Sequence, residues 1–590
     1  MEHVKELYER KYGFLKIFLM TLKMGIKADP IQFFICAVLD LCNGLTYAFV
    51  AVATQRFFDH VGASTSVNKN VILSIIFLGG VYILAHVING TGHTLIPNMK
   101  HKMDRNAMIA LNRKIALFPA DMFEYKEFLD FVNMAYKGTG YSFDFLVPLL
   151  RCIFLYLPYT IFMSVYLYHM EPVLILSILM VYLPTALSYL LRPGILIKLE
   201  DESVPLRRQC EYYQKCITDI SSFKETRILG AFHYFMNKYK ASLNGLGKKV
   251  WKARRKLHYV DILSGIFAVA GYGGVLILLV YLLMNGRITA GMFAAVLSSL
   301  TYIFIMVDET LYHFLESTNG IATVRNFLAV LDFKLPEKKH GTVDLKGDII
   351  LKDITYQYPG SHKKVIDNLN LVIRQGETLA IVGENGSGKT TLSKIILGLY
   401  TPCSGSVMVN DKILAEYETA DVSWAMSAVF QKFQKYKMTL RENIAFDSEH
   451  IKDYEVLNCL GESDMEVSDF HEGLDTMLSR EFGGTELSGG QWQRIAIARG
   501  LYKINDVIVL DEPTSAIDPI EETKIFEEFA KIASDKTAIL ITHRIGSAKI
   551  ADRIIVMNDG GIIETGTHEE LLDQQGMYYK LFRAQQKWYE

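Results

Sequence analysis

The run GENGSGKTT at residues 383–391 fits the spacing G-x-x-x-x-G-K-[ST], whose chemistry is phosphate binding. Its glycines let backbone N–H groups turn around phosphates, Lys389 reaches the outer phosphates, and Thr390 offers a hydroxyl to Mg²⁺. Further along, the apolar run VIVL ends in Asp511 and Glu512, within VIVLDEPTS at 507–515. Two adjacent carboxylates at a strand end suit phosphoryl transfer, Asp511 holding the Mg²⁺ shell and Glu512 orienting the attacking water. The elements that must position these groups are legible beside them. ETLAIVG reads as a buried strand, ENGSG as a glycine-rich turn, and KTTLSKIILGLY as a helix with apolar periodicity, which places phosphates on a helix N-terminus.

The five residues LSGGQ at 487–491 resemble the signature of the ATP-binding-cassette (ABC) ATPases. In that family two cassettes pack head to tail, and each signature closes over ATP held by the opposite phosphate loop. The resemblance implies that Leu487, Ser488, Gly489, Gly490 and Gln491 complete a partner's site, the glycines permitting close backbone approach. It implies an ATP contact set of Gly383, Glu384, Asn385, Gly386, Ser387, Gly388, Lys389, Thr390 and Thr391, with Tyr358 of ITYQYPG stacked on adenine. By the same resemblance Gln431 in SAVFQKFQ touches Mg²⁺ and water, His543 in ILITHR senses the γ-phosphate, and Asp518 in SAID supplies a further acidic group. A lone tyrosine or histidine is more often a satisfied core residue, and it is position within the motifs that favours ligation here. Glu512, His543 and Gln431 are thus the expected hydrolytic residues, and Thr390, Gln431 and Asp511 the expected Mg²⁺ ligands. The segment REFGGTE at 480–486 departs most from the common exporter pattern.

The chain has 590 residues, half of them hydrophobic, with a formal net charge of −2. That balance gives no reason to expect nucleic acid as a partner. The hydrophobic excess points to membrane spans, and the long apolar runs all precede residue 316. Seven cysteines are scattered without a C-x-x-C pair, so zinc is not expected. The first 30 residues mix lysines and aromatics and read as an amphipathic helix on the inner membrane face.

Six stretches reach the roughly 20 apolar residues that span a bilayer: 31–56, 71–92, 144–168, 172–191, 260–284 and 288–315. Tight turns at 169–171 and 285–287 make the third and fourth, and the fifth and sixth, hairpins. The long segments 98–142 and 192–258 carry the Lys/Arg excess, including KKVWKARRK, which assigns them and both termini to the cytoplasm. This arrangement is similar to the exporter-type ABC fold, whose long loops end in coupling helices that seat in grooves on the cassettes; 123–130 and 223–229 are the matching segments. The polar stretch DFKLPEKKHG reads as a linker. The expectation is therefore an N-terminal all-α transmembrane domain of six helices fused to a C-terminal α/β P-loop ABC ATPase, with an interfacial helix at 1–30, spans and loops over 31–332, a linker at 333–342 and the nucleotide-binding domain at 343–590.

With every hydrolytic position filled, the resemblance favours a homodimer, a related half-transporter being the other possible partner. The stretches FQKFQKYKMTLRENIAF and FKETRILGA resemble bacterial exporters of lanthipeptides and bacteriocins, implying a multi-pass protein of the bacterial plasma membrane with a ribosomally made peptide as cargo. No cysteine-peptidase domain fits before the first span. A lipid or drug exporter, and an ATPase that gates a signalling partner without transport, are the competing readings. Ionisable residues within spans are functional candidates by default. Asp40, His86, Arg151, Asp308 and Glu309 form the expected cargo cavity, against a bland alternative in which Asp308 and Glu309 pair with Arg151 or cap interhelical hydrogen bonds.

Overall fold

In the computed structural model, residues 12–586 are described apart from 65, 220–221, 342, 447–450, 504–505 and 513–535. The chain divides into two compact units, one formed by 5–116 and 131–333, the other by 334–590 together with 117–130 and the first four residues. A helix, Phe14–Ala28, occupies the segment expected to lie on the membrane face, and the first 11 residues lie outside the described ones.

The membrane unit is helical. Five helices have described residues long and apolar enough to cross a membrane: Pro30–Gly62, Lys69–Ile115, Lys126–Met170, Phe232–Met284 and Ala290–Leu315. The fourth expected span falls in the helix Ile175–Thr218, several of whose side chains are outside the described residues. These helices run far beyond bilayer thickness, since 53 residues at about 1.5 Å each far exceed a ~30 Å hydrocarbon core. Both predicted hairpin turns are present, and Arg287 of one meets the nearly buried Glu171 of the other at 2.5 Å. Within the spans, Thr46, Thr54, Thr160 and Ser299 each donate to the carbonyl four residues earlier, so their hydroxyls need no water.

The third span is not one regular helix. Lys126–Arg151 passes through a π-helical turn, Cys152–Tyr156, before continuing as Leu157–Met170. Pro158 has no N–H for the Phe154 carbonyl and its ring crowds that turn, which accounts for the break. The bulged backbone is received by the first span at Gly44, where a Cβ would lie 2.5 Å from the Leu155 carbonyl oxygen.

The second unit is α/β. Strands β1 (Ile349–Gln357), β2 (Lys364–Ile373), β4 (Ser404–Val409) and β5 (Lys412–Ile413) form an antiparallel sheet of order β2-β1-β4-β5. The second sheet has the order β10-β9-β3-β8-β7-β6, built from β3 (Thr378–Gly383), β6 (Met426–Val429), β7 (Val507–Asp511), β8 (Thr537–Ile541), β9 (Arg553–Asn558) and β10 (Gly561–Gly566). Strands β3, β6, β7, β8 and β9 are mutually parallel, and only the β9–β10 hairpin is antiparallel. Both β7 and β8 are buried along their whole length, as expected of parallel strands covered on both faces. The expected linker is tied down along this unit, Lys339 exchanging backbone hydrogen bonds with Glu416 and Glu418.

Candidate functional site

Strand order decides which motifs meet. Because β3, β8, β7 and β6 lie side by side and run the same way, the groups following each strand leave the sheet at one edge, its carboxyl end, where ligands of open α/β sheets bind. The phosphate loop follows β3, His543 follows β8, Glu512 follows β7 and Gln431 follows β6. Motifs spread over more than a hundred residues of sequence thereby converge.

The loop itself turns on glycines. Gly386 and Gly388 have φ of 81° and 105°, and a Cβ on Gly388 would lie 2.8 Å from the Val365 carbonyl oxygen. The following helix, Lys389–Ile396, starts with its N-terminus at the loop. The Lys389 ammonium folds back, donating to the carbonyls of Gly383 at 2.9 Å and Glu384 at 2.8 Å. Burial draws its pKa below the ordinary lysine value, against the opposing pull of Glu512 and Asp511. Tyr358 packs edge-on to Tyr356 and Tyr400, and its hydroxyl shares a 3.0 Å hydrogen bond with Thr391.

Asp511 is almost fully buried and accepts a 3.4 Å hydrogen bond from the Thr390 hydroxyl. Burial, and next the charge of Glu512, push its carboxyl up to about 6. Thr390 and Asp511 thus present one hydroxyl and one desolvated carboxylate to a common point, a donor set of hard oxygens that fits Mg²⁺. Glu512 has φ of 47°, unusual for a residue with a side chain, and its N–H donates to the Ile541 carbonyl at 2.9 Å. Gln431 Nε2 donates to one carboxylate oxygen and His543 Nε2 contacts the other. Burial raises the pKa of Glu512, offset by Lys389 and Gln431, whereas burial and Lys389 lower that of His543. His543 is therefore neutral at pH 7, and its contact with Glu512 is a hydrogen bond from a neutral ring.

One participant carried no sequence signal. Gln585, from the last helix, donates to the His543 carbonyl and accepts from the Ile545 N–H at 2.9 Å, clamping the turn that carries the histidine. Glu124 lies in the expected coupling segment 123–130, and its carboxylate accepts from Tyr400, whose hydroxyl also receives Lys394 Nζ at 2.8 Å. The short 3₁₀ turn Ala120–Glu124 thereby joins the aromatic group around Tyr358.

In the signature, Leu487 is buried while Ser488 and Gly489 are exposed. Ser488 caps the helix Gly489–Tyr502, accepting from the Gln491 N–H at 3.2 Å, and Gln491 reciprocates onto the Ser488 N–H at 3.0 Å. The same LSGGQ motif is thus a capping box that leaves a helix N-terminus open to an anion. Asp518 lies outside the described residues.

Of the five expected cargo-cavity residues the structure unites three. Asp40, Arg151 and Glu309 line one cavity of about 240 Å³. His86 is exposed and does not join them: it shares a helix face with His93, which lines the cavity, but lies two turns nearer the start of the second span. Asp308 points elsewhere, accepting a 3.1 Å hydrogen bond from Tyr189, since adjacent positions on a helix project about 100° apart. Glu309 accepts a 2.7 Å hydrogen bond from Tyr156 and does not pair with Arg151, so both carboxylates take the interhelical hydrogen bonds that the bland alternative allowed.

Comparison with known proteins agrees with this geometry. Residues 366–515 match the family of ABC transporters. The subtilin transport ATP-binding protein of Bacillus subtilis is 33% identical over 63% of this chain and 62% of its own length. The nisin transport ATP-binding protein of Lactococcus lactis subsp. lactis is 27% identical over 99% of both chains. An ATP-dependent lipid A-core flippase of Idiomarina loihiensis is 33% identical, with the alignment spanning about half the length of each chain (51% and 52%). The fold is that of a bacterial Atm1-family ABC exporter solved with ATP bound, at a TM-score of 0.79 and 18% identity over 93% of this chain and 99% of that one. Residues 366–515 are thus an ABC transporter ATPase domain, and it is fused to a membrane-spanning helical domain in the fold of an ABC exporter.

Proposed function

We propose that this chain is one half of an ATP-driven exporter that works as a homodimer in the bacterial plasma membrane, with its ATPase unit and termini on the cytoplasmic side, and that its cargo is a ribosomally made peptide. The observation that carries hydrolysis is the clamping of Glu512 between Gln431 and His543, at the sheet edge that also bears Lys389, Thr390 and Asp511. Lys389 exchanges its loop carbonyls for the outer phosphates, and Tyr358 offers its ring to adenine. Thr390, Asp511 and Gln431 hold Mg²⁺, which neutralises phosphate charge when bound. Glu512 accepts a hydrogen bond from the attacking water and sets its line of approach; neutral His543 donates to the phosphoryl oxygens as charge shifts onto them.

The second copy supplies the other half of each site. Ser488 and the N-terminus of its helix face solvent in a single chain, and a partner's γ-phosphate is an anion matched to both. A second complementary pair supports the dimer. The cassette carries an apolar groove of about 720 Å³ that includes Trp424, Phe430, Phe446 and Tyr502, while the short helix Phe223–Ile228 carries Ile228 and Leu229 at 87% and 69% exposure. That helix fits the groove of the other copy, so that cassette closure moves the long helices of the spans. Differential affinity of ATP for the closed pair then drives the change from inward-open to outward-open, and hydrolysis reverses it.

The full-length likeness to a nisin transport protein supports peptide cargo, whereas the likeness to lipid A-core flippases spans half the chain. The test is ATP-dependent uptake of leader-bearing cationic peptides into inverted proteoliposomes, wild type beside Glu512→Gln. Uptake lost in the variant supports export. Glu512-dependent hydrolysis raised by lipids or drugs but not by peptides would replace the cargo, and hydrolysis without uptake of anything would favour a regulatory ATPase.

A further inference from the structure

The cavity inside the membrane unit contains more than carboxylates. Asn43 is 93% buried (7% exposed), lines the cavity, and its Oδ1 has no hydrogen-bond partner. Arg151 Nε is likewise buried and unpaired on the same cavity. A buried acceptor and a buried charged donor left open in an apolar bundle are costly, on the order of 1–3 kcal/mol for a neutral group and more for a charged one. The architecture maintains them. Gly44, next to Asn43, admits the Leu155 carbonyl, and the π-helical turn carrying Leu155 and Tyr156 adds a residue that turns Tyr156 onto Glu309. Such π turns occur often at functional sites.

The chemistry of the lining selects a ligand. The two carboxylates Asp40 and Glu309 against the one guanidinium of Arg151 leave a formal charge of −1, so one cation balances them. An ammonium has three N–H donors, and the lining offers three acceptor groups: the Asp40 carboxylate, Asn43 Oδ1 and the Glu309 carboxylate. Tyr47 and Tyr302, whose ring centroids are 5.4 Å apart, add ring faces to the wall. Its volume of about 240 Å³ is below the ~300 Å³ of the smallest drug-sized sites, which suits one side chain or a chain end and not a folded peptide.

We propose that the Asp40–Asn43–Glu309 pocket within a single protomer binds one primary ammonium group of the cargo, with Arg151 left to receive a neighbouring peptide carbonyl. The proposal rests on the peptide-export reading. A lysine side chain and a peptide N-terminus share this chemistry, and the experiment separates them.

The full chain in lipid nanodiscs is assayed for ATPase stimulation by a leader-bearing peptide with one lysine, either free, acetylated at the N-terminus, acetylated at the lysine, or at both. Loss of the bound ammonium should raise the half-maximal concentration at least tenfold, and the single acetylations identify the source. Asn43→Leu, which removes an acceptor without altering charge, should raise it similarly, as should Asp40→Asn; Asp308→Asn, outside the pocket, should not. Stimulation by the doubly acetylated peptide within twofold of the free one, or an Asn43→Leu protein indistinguishable from wild type, would overturn the proposal while leaving peptide export standing. If no peptide stimulates, the export reading fails by itself, and the pocket is decided by n-butylammonium against n-butanol. A rise in thermal midpoint with the ammonium alone, abolished by Asn43→Leu, upholds the site; no rise refutes it.

Discussion

Replacing Gly484 with alanine tests how the signature is held in place. A Cβ there would lie 1.9 Å from the Met477 carbonyl oxygen and 2.6 Å from both the carbonyl carbon and Cβ of that residue, where ordinary contact begins near 3.4 Å. The obstruction is backbone and cannot rotate away. The same Met477 carbonyl accepts the Thr485 N–H at 2.8 Å, and the Gly484 N–H donates to Ser479 at 2.8 Å, so relief must stretch at least one of these bonds. Overpacking costs about 1–3 kcal/mol and a lost backbone hydrogen bond about 1 more. A penalty of roughly 2–4 kcal/mol, at ~2–4 °C per kcal/mol for a domain of this size, lowers the cassette's thermal midpoint by about 4–16 °C. Neighbouring Gly483 provides the internal comparison. Its φ is 80° but a Cβ would meet nothing within 4 Å, so Gly483→Ala bears only the left-handed penalty of ~1–2 kcal/mol and Gly483→Asn less. Because 477–485 leads directly into Leu487 and Ser488, Gly484→Ala should also depress ATPase activity more than Gly483→Ala. Differential scanning calorimetry and steady-state hydrolysis on both variants check this. A Gly484→Ala midpoint within 2 °C of wild type, or a Gly483→Ala effect equal to it, would refute the steric reasoning.

Tyr400→Phe removes the hydroxyl that joins Glu124 to Lys394 beneath the Tyr358 ring; nucleotide affinity should stay within threefold while peptide stimulation of hydrolysis falls several-fold, measured as the ratio of stimulated to basal rate. Gly44→Ala drives a Cβ to 2.5 Å from the Leu155 carbonyl and should cost about 1–3 kcal/mol in the membrane unit, whereas Gly79→Ala, with nothing within 4 Å, should be near neutral in the same unfolding assay. The Asp511 carboxyl is held up to about 6 in the nucleotide-free protein, chiefly by burial, so the folded state binds its proton more tightly than the unfolded chain does. This group's stabilising contribution is therefore full at pH below the ordinary carboxylate value and lost as pH rises through about 6. Since Mg²⁺ requires the ionised form, the Mg²⁺ concentration for half-maximal ATPase should climb as pH falls from 7.5 to 5.5, and a flat dependence would exclude Asp511 as a ligand.

Sequence motifs nominated an ATP site residue by residue because each expected phosphate contact depends on local backbone: a glycine turn, a helix start, a carboxylate pair closing a strand. What they could not reveal was the support built from distant segments. Gln585 reaches His543 across more than forty residues of chain and lies in no motif; Glu124 lies in the segment 123–130 that the sequence singles out, but only tertiary packing gives it Tyr400 as partner. In the membrane unit, hydropathy located the spans, yet adjacent carboxylates Asp308 and Glu309 took different partners because helical geometry turns them to different faces. The π turn left only a weak trace, Pro158 within an apolar run, although it decides where Tyr156 points.

The position of Glu512 shows how the cassette tolerates a conformation that its own sequence disfavours. A left-handed φ at a residue with a Cβ costs on the order of 1–2 kcal/mol, and a glutamate has no local hydrogen bond to offset it as asparagine would. The compensation comes from neighbours on both sides of β7: the Ile541 carbonyl of β8 takes the Glu512 N–H, while Gln431 at the end of β6 and His543 at the end of β8 hold the two carboxylate oxygens. Each of these groups reaches Glu512 only because β6, β7 and β8 are parallel and in register, Val429 beside Leu510 and Asp511 beside Ile541. A strained residue held from two neighbouring strands moves when either of them moves. Displacement of Gln431, which directly follows Phe430 of the groove that the second copy's Phe223–Ile228 helix is proposed to enter, would therefore release one carboxylate oxygen and swing the group that aligns water. Gln431→Ala should accordingly leave ATP binding intact yet weaken the dependence of hydrolysis on cargo, and a variant with full cargo stimulation would break that link.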